Sequence, residues 1–121
     1  MVKNFGQLSS GETAHLYSLM TDMLRICVTD FGGTLVSVEV KDKSGEFVDI
    51  TLGYDDVAGY ENDNDCFGFN IGRNANRISN AQFTLNNIKY VLAKNDGENN
   101  LHSGPHLFSK RMWHVTEYRD D

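Results

Sequence analysis

The stretch "TLVSVEVKDKSGEFVDITLG", residues 34–53, decides the fold. Leu35, Ser37 and Glu39 alternate with Val36, Val38 and Val40, the period-two pattern of a half-buried β-strand. "KDKSGE" (41–46) is turn chemistry, with Gly45 free to take a positive φ. "FVDITLG" (47–53) then returns, so residues 34–53 read as a hairpin. Working outward, "HLYSL" (15–19) and "LRICVT" (24–29) are short strands. "AQFTL" and "IKYVL" flank Asn86-Asn87, a two-residue hairpin turn. "MWHVTEY" (112–118) is expected as a last strand, with Trp113, Val115 and Glu117 alternating with Met112, His114, Thr116 and Tyr118. Gly32-Gly33, between two strands, suits a tight bend or bulge. A phosphate cradle there would need a helix start behind it. Only "DDVAGYEND" (55–63) suggests a helical turn, which Gly59 weakens. No internal repeat, low-complexity segment or linker interrupts the pattern. Many short strands and little helix mean an all-β class, sandwich or barrel.

A length of 121 residues fits one domain. A domain of that size buries roughly two-thirds of its unfolded surface, enough for a core. With 11 basic and 17 acidic residues the net charge is −6. That balance argues against a nucleic-acid partner, which needs a basic face, and against docking on an anionic membrane. No apolar run approaches the roughly 20 residues that span a bilayer, and "MVKNFGQLSS" lacks the apolar stretch of a signal peptide. Cys27 and Cys66 have no framework or metal-knuckle spacing and read as two reduced thiols of a cytoplasmic protein.

The polar groups concentrate in "NIGRNANRIS", residues 70–79. Arg73, Arg77, Asn70, Asn74 and Asn76 are too polar for a plain core strand, with too few acidic neighbours for a routine ion-pair network. The glycine spacing of a phosphate loop is absent. An uncharged polyhydroxy ligand fits better, because Arg and Asn offer directional donors and acceptors for hydroxyls and His102 adds a titratable one. The competing reading is that these side chains satisfy loop carbonyls. In "NDGENNLHSGPH" (95–106), His102 and His106 would share a face only on a helix, which Pro105 forbids. No metal site is expected there. The acidic run Glu61, Asp63, Asp65 lacks the glycine and closing glutamate of a calcium loop and reads as solvated.

The order of segments adds a resemblance. "TDFGGTLVSVEVKDKSGEFVDITLGYDDVAGY", "IGRNANRIS", "FTLNNIKYVLAKNDGENNLHSGP" and "KRMW" follow one another as in the N-terminal part of the aldose 1-epimerases, or galactose mutarotases. The GR-x-ANRI and N-x-LH pieces are specific to that family. The resemblance implies a large antiparallel β-sandwich, of which residues 1–121 are the N-terminal part. It also implies interconversion of the α and β anomers of a free aldose such as galactose or glucose, with no cofactor. By matching position, Asn76 and Arg77 are the sugar-contacting pair. His102 contacts the sugar and assists catalysis without being the main acid. Arg73 has a secondary claim, and Tyr54, Asp55 and Tyr60 lie in a loop that shapes or underlies the rim.

This chain departs from the family pattern in having Ser103-Gly104 where two glycines are usual, and His106 where an acidic residue is common. It is also much shorter. The family's principal acid (a second histidine), its glutamate base and a sugar-gripping aspartate are expected beyond residue 121, and neither Asp96 nor Glu98 matches that base. The alternative function is therefore a non-catalytic carbohydrate-binding or structural β module. Exposed strand edges further imply self-association, or pairing with a separate chain.

Overall fold

A computed structural model describes residues 1–119, which divide into two compact units: residues 1–70 with the segment from Met112, and residues 71–111. The first unit is built on a five-stranded antiparallel sheet. Its strands are β1 (Val2–Gln7), β2 (Thr13–Met20), β3 (Leu24–Thr29), β4 (Leu35–Lys41) and β5 (Phe47–Asp49), and they pair in chain order. The expected strands before and after Gly32-Gly33 are present, and the two glycines, at φ +73° and +59°, make the tight turn between β3 and β4. Thr29 N–H donates to Thr34 O at 2.9 Å, closing that turn. The strand β1 carries no clean alternation in sequence. Phe5 is its only buried residue, and the register slips between Asn4 and Gly6.

The 34–53 hairpin forms with a shorter return than the pattern implied. Glu39, Val40 and Lys41 pair with Asp49, Val48 and Phe47. Asp42 organises the turn: its Oδ1 accepts from the Ser44 amide at 2.8 Å, the Ser44 hydroxyl at 2.7 Å and the Glu46 amide at 3.0 Å. The ladder stops at Asp49, whose Oδ1 accepts from the Thr51 amide (2.9 Å) and hydroxyl (2.7 Å) and so turns the chain out of the strand.

The core of this unit joins Phe5, Leu8, Ala14, Leu16, Phe31, Val57 and Tyr60. Val57 and Tyr60 lie three apart on α1 (Val57–Asn62), so one helical face enters the core. Burying a side chain such as Val57 contributes roughly 1.5–3 kcal/mol. Asp56 caps the helix by accepting the Gly59 N–H at 3.0 Å. The acidic run that reads as solvated is partly interior. Asp63 is only 4% exposed. Its Oδ1 accepts from the Tyr54 hydroxyl at 3.1 Å and the Asp65 amide at 2.6 Å, and its Oδ2 from the Phe67 amide at 3.1 Å. A buried carboxylate with that many donors is satisfied as a loop organiser. Glu61 likewise binds the Ser9 amide and hydroxyl.

The expected last strand is not a strand. Met112 makes one antiparallel bridge with Phe31 and the Trp113 N–H donates to Asp30 O at 2.8 Å, but residues 113–119 join no ladder among the described residues. Alternation alone cannot make a strand; a partner backbone is needed, and β3 already has β2 and β4 on its two sides. Side chains hold this segment instead: the Tyr118 hydroxyl donates to Ser18 O at 2.6 Å, and its ring meets Tyr17 edge-on at 5.6 Å. Both cysteines are free. No helix among the described residues is long and apolar enough to cross a membrane.

The second unit holds two short antiparallel ladders. One pairs β6 (Arg77–Ile78) with β9 (Asn100–Leu101). The other pairs β7 (Gln82–Leu85) with β8 (Ile88–Val91) through Asn86-Asn87. Both asparagines have positive φ (+50° and +62°), as a type I′ turn requires. Phe83 and Tyr90, directly opposite in register, stack at 5.0 Å.

Candidate functional site

The ladder of β6 with β9 brings the two singled-out stretches together. Its register sets Arg77 against Leu101, so Asn76 and His102 face each other just beyond its end. The His102 N–H donates to Asn76 O at 3.0 Å, and the Asn76 N–H donates to His102 Nδ1 at 3.0 Å. A backbone amide can only donate, so Nδ1 carries the lone pair. The neutral ring therefore holds its proton on Nε2. Arg77 donates through Nε to Asp96 Oδ2 at 2.6 Å.

Surrounding amides stiffen the frame. Asn95 donates to Leu101 O at 2.9 Å and accepts the Leu101 N–H at 2.7 Å. Asn100 is 3% exposed and donates to Ala93 O and Gly104 O. Ser103 Oγ accepts the Asn74 N–H at 2.8 Å and donates to Asn74 O at 3.2 Å. These contacts hold three residues in left-handed backbone: Asn76 at φ +60°, His102 at +54° and Ser103 at +60°. Such a conformation costs an L-residue roughly 1–2 kcal/mol, which the interlocking bonds offset at about 0.5–1.5 kcal/mol each.

Backbone and inner atoms thus lock the trio, while its outer atoms stay available. The Asn76 amide, the terminal nitrogens of Arg77 and Nε2 of His102 make no hydrogen bond among the described residues. Asn76 and Arg77 are exposed and His102 is half-buried. The set offers an amide donor and acceptor, a charged donor pair and one imidazole N–H, which suits hydroxyl groups.

Arg73 is placed differently. Its guanidinium lies 5.7 Å from the Phe108 ring centre, with Arg111 at 5.6 Å from the same ring. It borders a depression of about 230 Å³ with Asn74, Phe83, Leu92, Asn100 and Ser103, which Asn76, Arg77 and His102 do not line. Tyr54 and Tyr60 belong to the first unit, where Tyr60 is fully buried. His106 is exposed and its carbonyl accepts from Arg111 at 2.6 Å. No group of three or more His, Cys, Asp or Glu suited to a metal occurs among the described residues.

Sequence reasoning missed Asp96 as the partner of Arg77 and Ser103 as the partner of Asn74. Each contact spans 19 or more residues, so no local spacing signals it. The expected shortage of acidic partners holds within residues 70–79 but not across the fold.

Residues 15–121 match the family model for aldose 1-epimerase. Galactose mutarotase of Bos taurus is 41% identical over 110 residues, covering 90% of this chain and 32% of its own length. Aldose 1-epimerase of Streptococcus thermophilus is 34% identical over 117 residues, covering 96% and 34%. The crystal structure of a GalM/aldose epimerase homologue from C. elegans has a TM-score of 0.79 at 30% identity, over 88% of this chain and 33% of that one. The mostly β, antiparallel fold is the one these relatives have. The chain spans about a third of the length of the relatives it matches, their N-terminal portion.

Proposed function

Because this chain belongs to the aldose 1-epimerase family, we propose that it carries the sugar-gripping part of a mutarotase site, in which Asn76, Arg77 and His102 hold a free hexose such as galactose or glucose. The observation that carries this reading is the division of labour within the trio: backbone and inner nitrogens are locked, and hydroxyl-binding atoms are left over. The reaction needs a base to take the proton of the anomeric hydroxyl and an acid to protonate the ring oxygen. The C1–O5 bond breaks, the C1–C2 bond rotates, and the ring closes on the other face. His102 assists as an Nε2–H donor to the sugar. The site uses no metal or organic cofactor, and the two free thiols favour the cytoplasm as its compartment.

A second reading, binding without turnover, has its own support. The 71–111 unit has two carboxylates, and both are paired: Asp96 with Arg77, and Glu98 with Lys94, whose ammonium holds the Glu98 carboxyl below its ordinary range. The principal acid and base of the proposed mechanism lie outside residues 1–121, and each such group contributes roughly 10²- to 10⁴-fold. We therefore expect the 121-residue chain to bind the sugar with little turnover. The test is proton NMR on fresh α-D-galactose with the chain at high concentration. Galactose-dependent shifts without faster anomer exchange fit the second reading, and His102→Ala or Arg77→Ala then weakens binding by about 1–3 kcal/mol. Faster exchange that His102→Ala abolishes makes the chain itself a mutarotase. Binding that ignores both substitutions overturns the site.

A further inference from the structure

We propose that Asp96 is a positioning residue for Arg77: by holding Nε it fixes the guanidinium plane so that the two terminal nitrogens meet sugar hydroxyls as a preset fork. This rests on the sugar-binding reading above. An arginine on a surface strand has several free torsions, and freezing them against a ligand costs entropy that weakens binding. The Arg77 Nε to Asp96 Oδ2 contact of 2.6 Å removes most of that freedom before any ligand arrives.

Asp96 can do this because it is itself held. Its N–H donates to Asn99 O at 3.2 Å and its carbonyl accepts the Asn99 N–H at 2.9 Å, an isolated bridge at the base of a tight loop. Asn95, the next residue, is tied to Leu101 in both directions, and Leu101 is the register partner of Arg77. The carboxylate and the arginine it holds are therefore mounted on the same short ladder. Stability is a poor explanation for the pair. The two side chains are 54% and 34% exposed, and ion pairs that open to water contribute little. The neighbouring pair of Lys94 and Glu98 makes the contrast: it lies on the same loop, is also exposed, and touches none of the three sugar-facing residues.

The experiment titrates D-galactose into the full chain by ¹H–¹⁵N NMR, following backbone amides and the Arg77 Nε–H signal, for the wild type, Asp96→Asn, Arg77→Ala, the double variant, Asp96→Glu and Glu98→Gln. Asp96→Asn is expected to weaken binding about 3- to 30-fold, inside the span of coupling energies of residues in direct contact, and to move the Arg77 Nε–H signal in the free protein. The double variant should bind no worse than Arg77→Ala alone, Asp96→Glu should recover part of the loss, and Glu98→Gln should bind as wild type. Wild-type affinity in Asp96→Asn, or losses that multiply in the double variant, overturns the positioning role and leaves the sugar-binding reading standing. A wild-type chain that binds no galactose overturns both.

Discussion

Gly59 illustrates how a single residue can be misjudged from propensity. In an exposed helix Ala is favoured over Gly by about 1 kcal/mol. In this chain a β-carbon at position 59 would lie 2.5 Å from Tyr54 Cγ and 2.8 Å from Cδ1. Tyr54 cannot easily withdraw, because its ring packs on Tyr60 at 5.1 Å and its hydroxyl donates to Asp63. Gly59→Ala is therefore expected to destabilise the protein by about 1–3 kcal/mol, the cost of overpacking, measured as a lower urea midpoint with an unchanged m-value. A higher midpoint would mean that the helix term wins. The candidate site was legible in part at this scale. The residue types of "NANR" and "LH" point to hydroxyl recognition, but the left-handed backbone at His102 and Ser103 has no local signal. It exists because contacts from distant residues impose it.

Among the elements, β2, β3, β4 and the Asn86-Asn87 hairpin were legible because each pairs with a chain neighbour, so period and turn residues together specify it. The segment 113–119 has the same period but joins no ladder among the described residues, and β6 and β9 are two residues each, too short for any period to show. The turn from β4 to β5 makes a prediction about acid. The Ser44 hydroxyl and the Glu46 and Ser44 amides hold the Asp42 carboxyl below its ordinary range. At Asp49 partial burial pushes the carboxyl up, but hydrogen bonds from Thr51 and Val38 outweigh it and the net direction is down. A lowered folded value means these groups add stability above the unfolded value of about 3.9, and that stability is lost as pH falls through the folded values. The melting temperature should drop between pH 5 and pH 3, and drop less in Asp42→Asn. Equal drops in both proteins would remove Asp42 from the account.

For the molecule as a whole, the exposed apolar residues bear on its state in solution. Val48 on β5 (47% exposed) and Ile50 (64%) and Leu52 (73%) just after it are exposed, and so are Leu85, Ile88 and Val91 on the β7–β8 hairpin. Both β1 and β5 present an outer edge in their sheet, and open edges beside apolar side chains invite pairing with another chain. Self-association is opposed by the net charge of −6, and salt screens that repulsion. We expect sedimentation velocity to show a weight-average coefficient that rises with concentration, and more steeply at 0.5 M than at 0.05 M salt. A monomer at all concentrations and both salts would count against this.

The chain-order pairing of the five-stranded sheet has a kinetic consequence. Every strand from β2 to β5 finds its partner immediately upstream, so each pairing closes only a short loop and sacrifices little chain entropy. During synthesis the sheet can grow one hairpin at a time as the chain leaves the ribosome, and its last ladder, that of β4 with β5, needs nothing translated after Asp49.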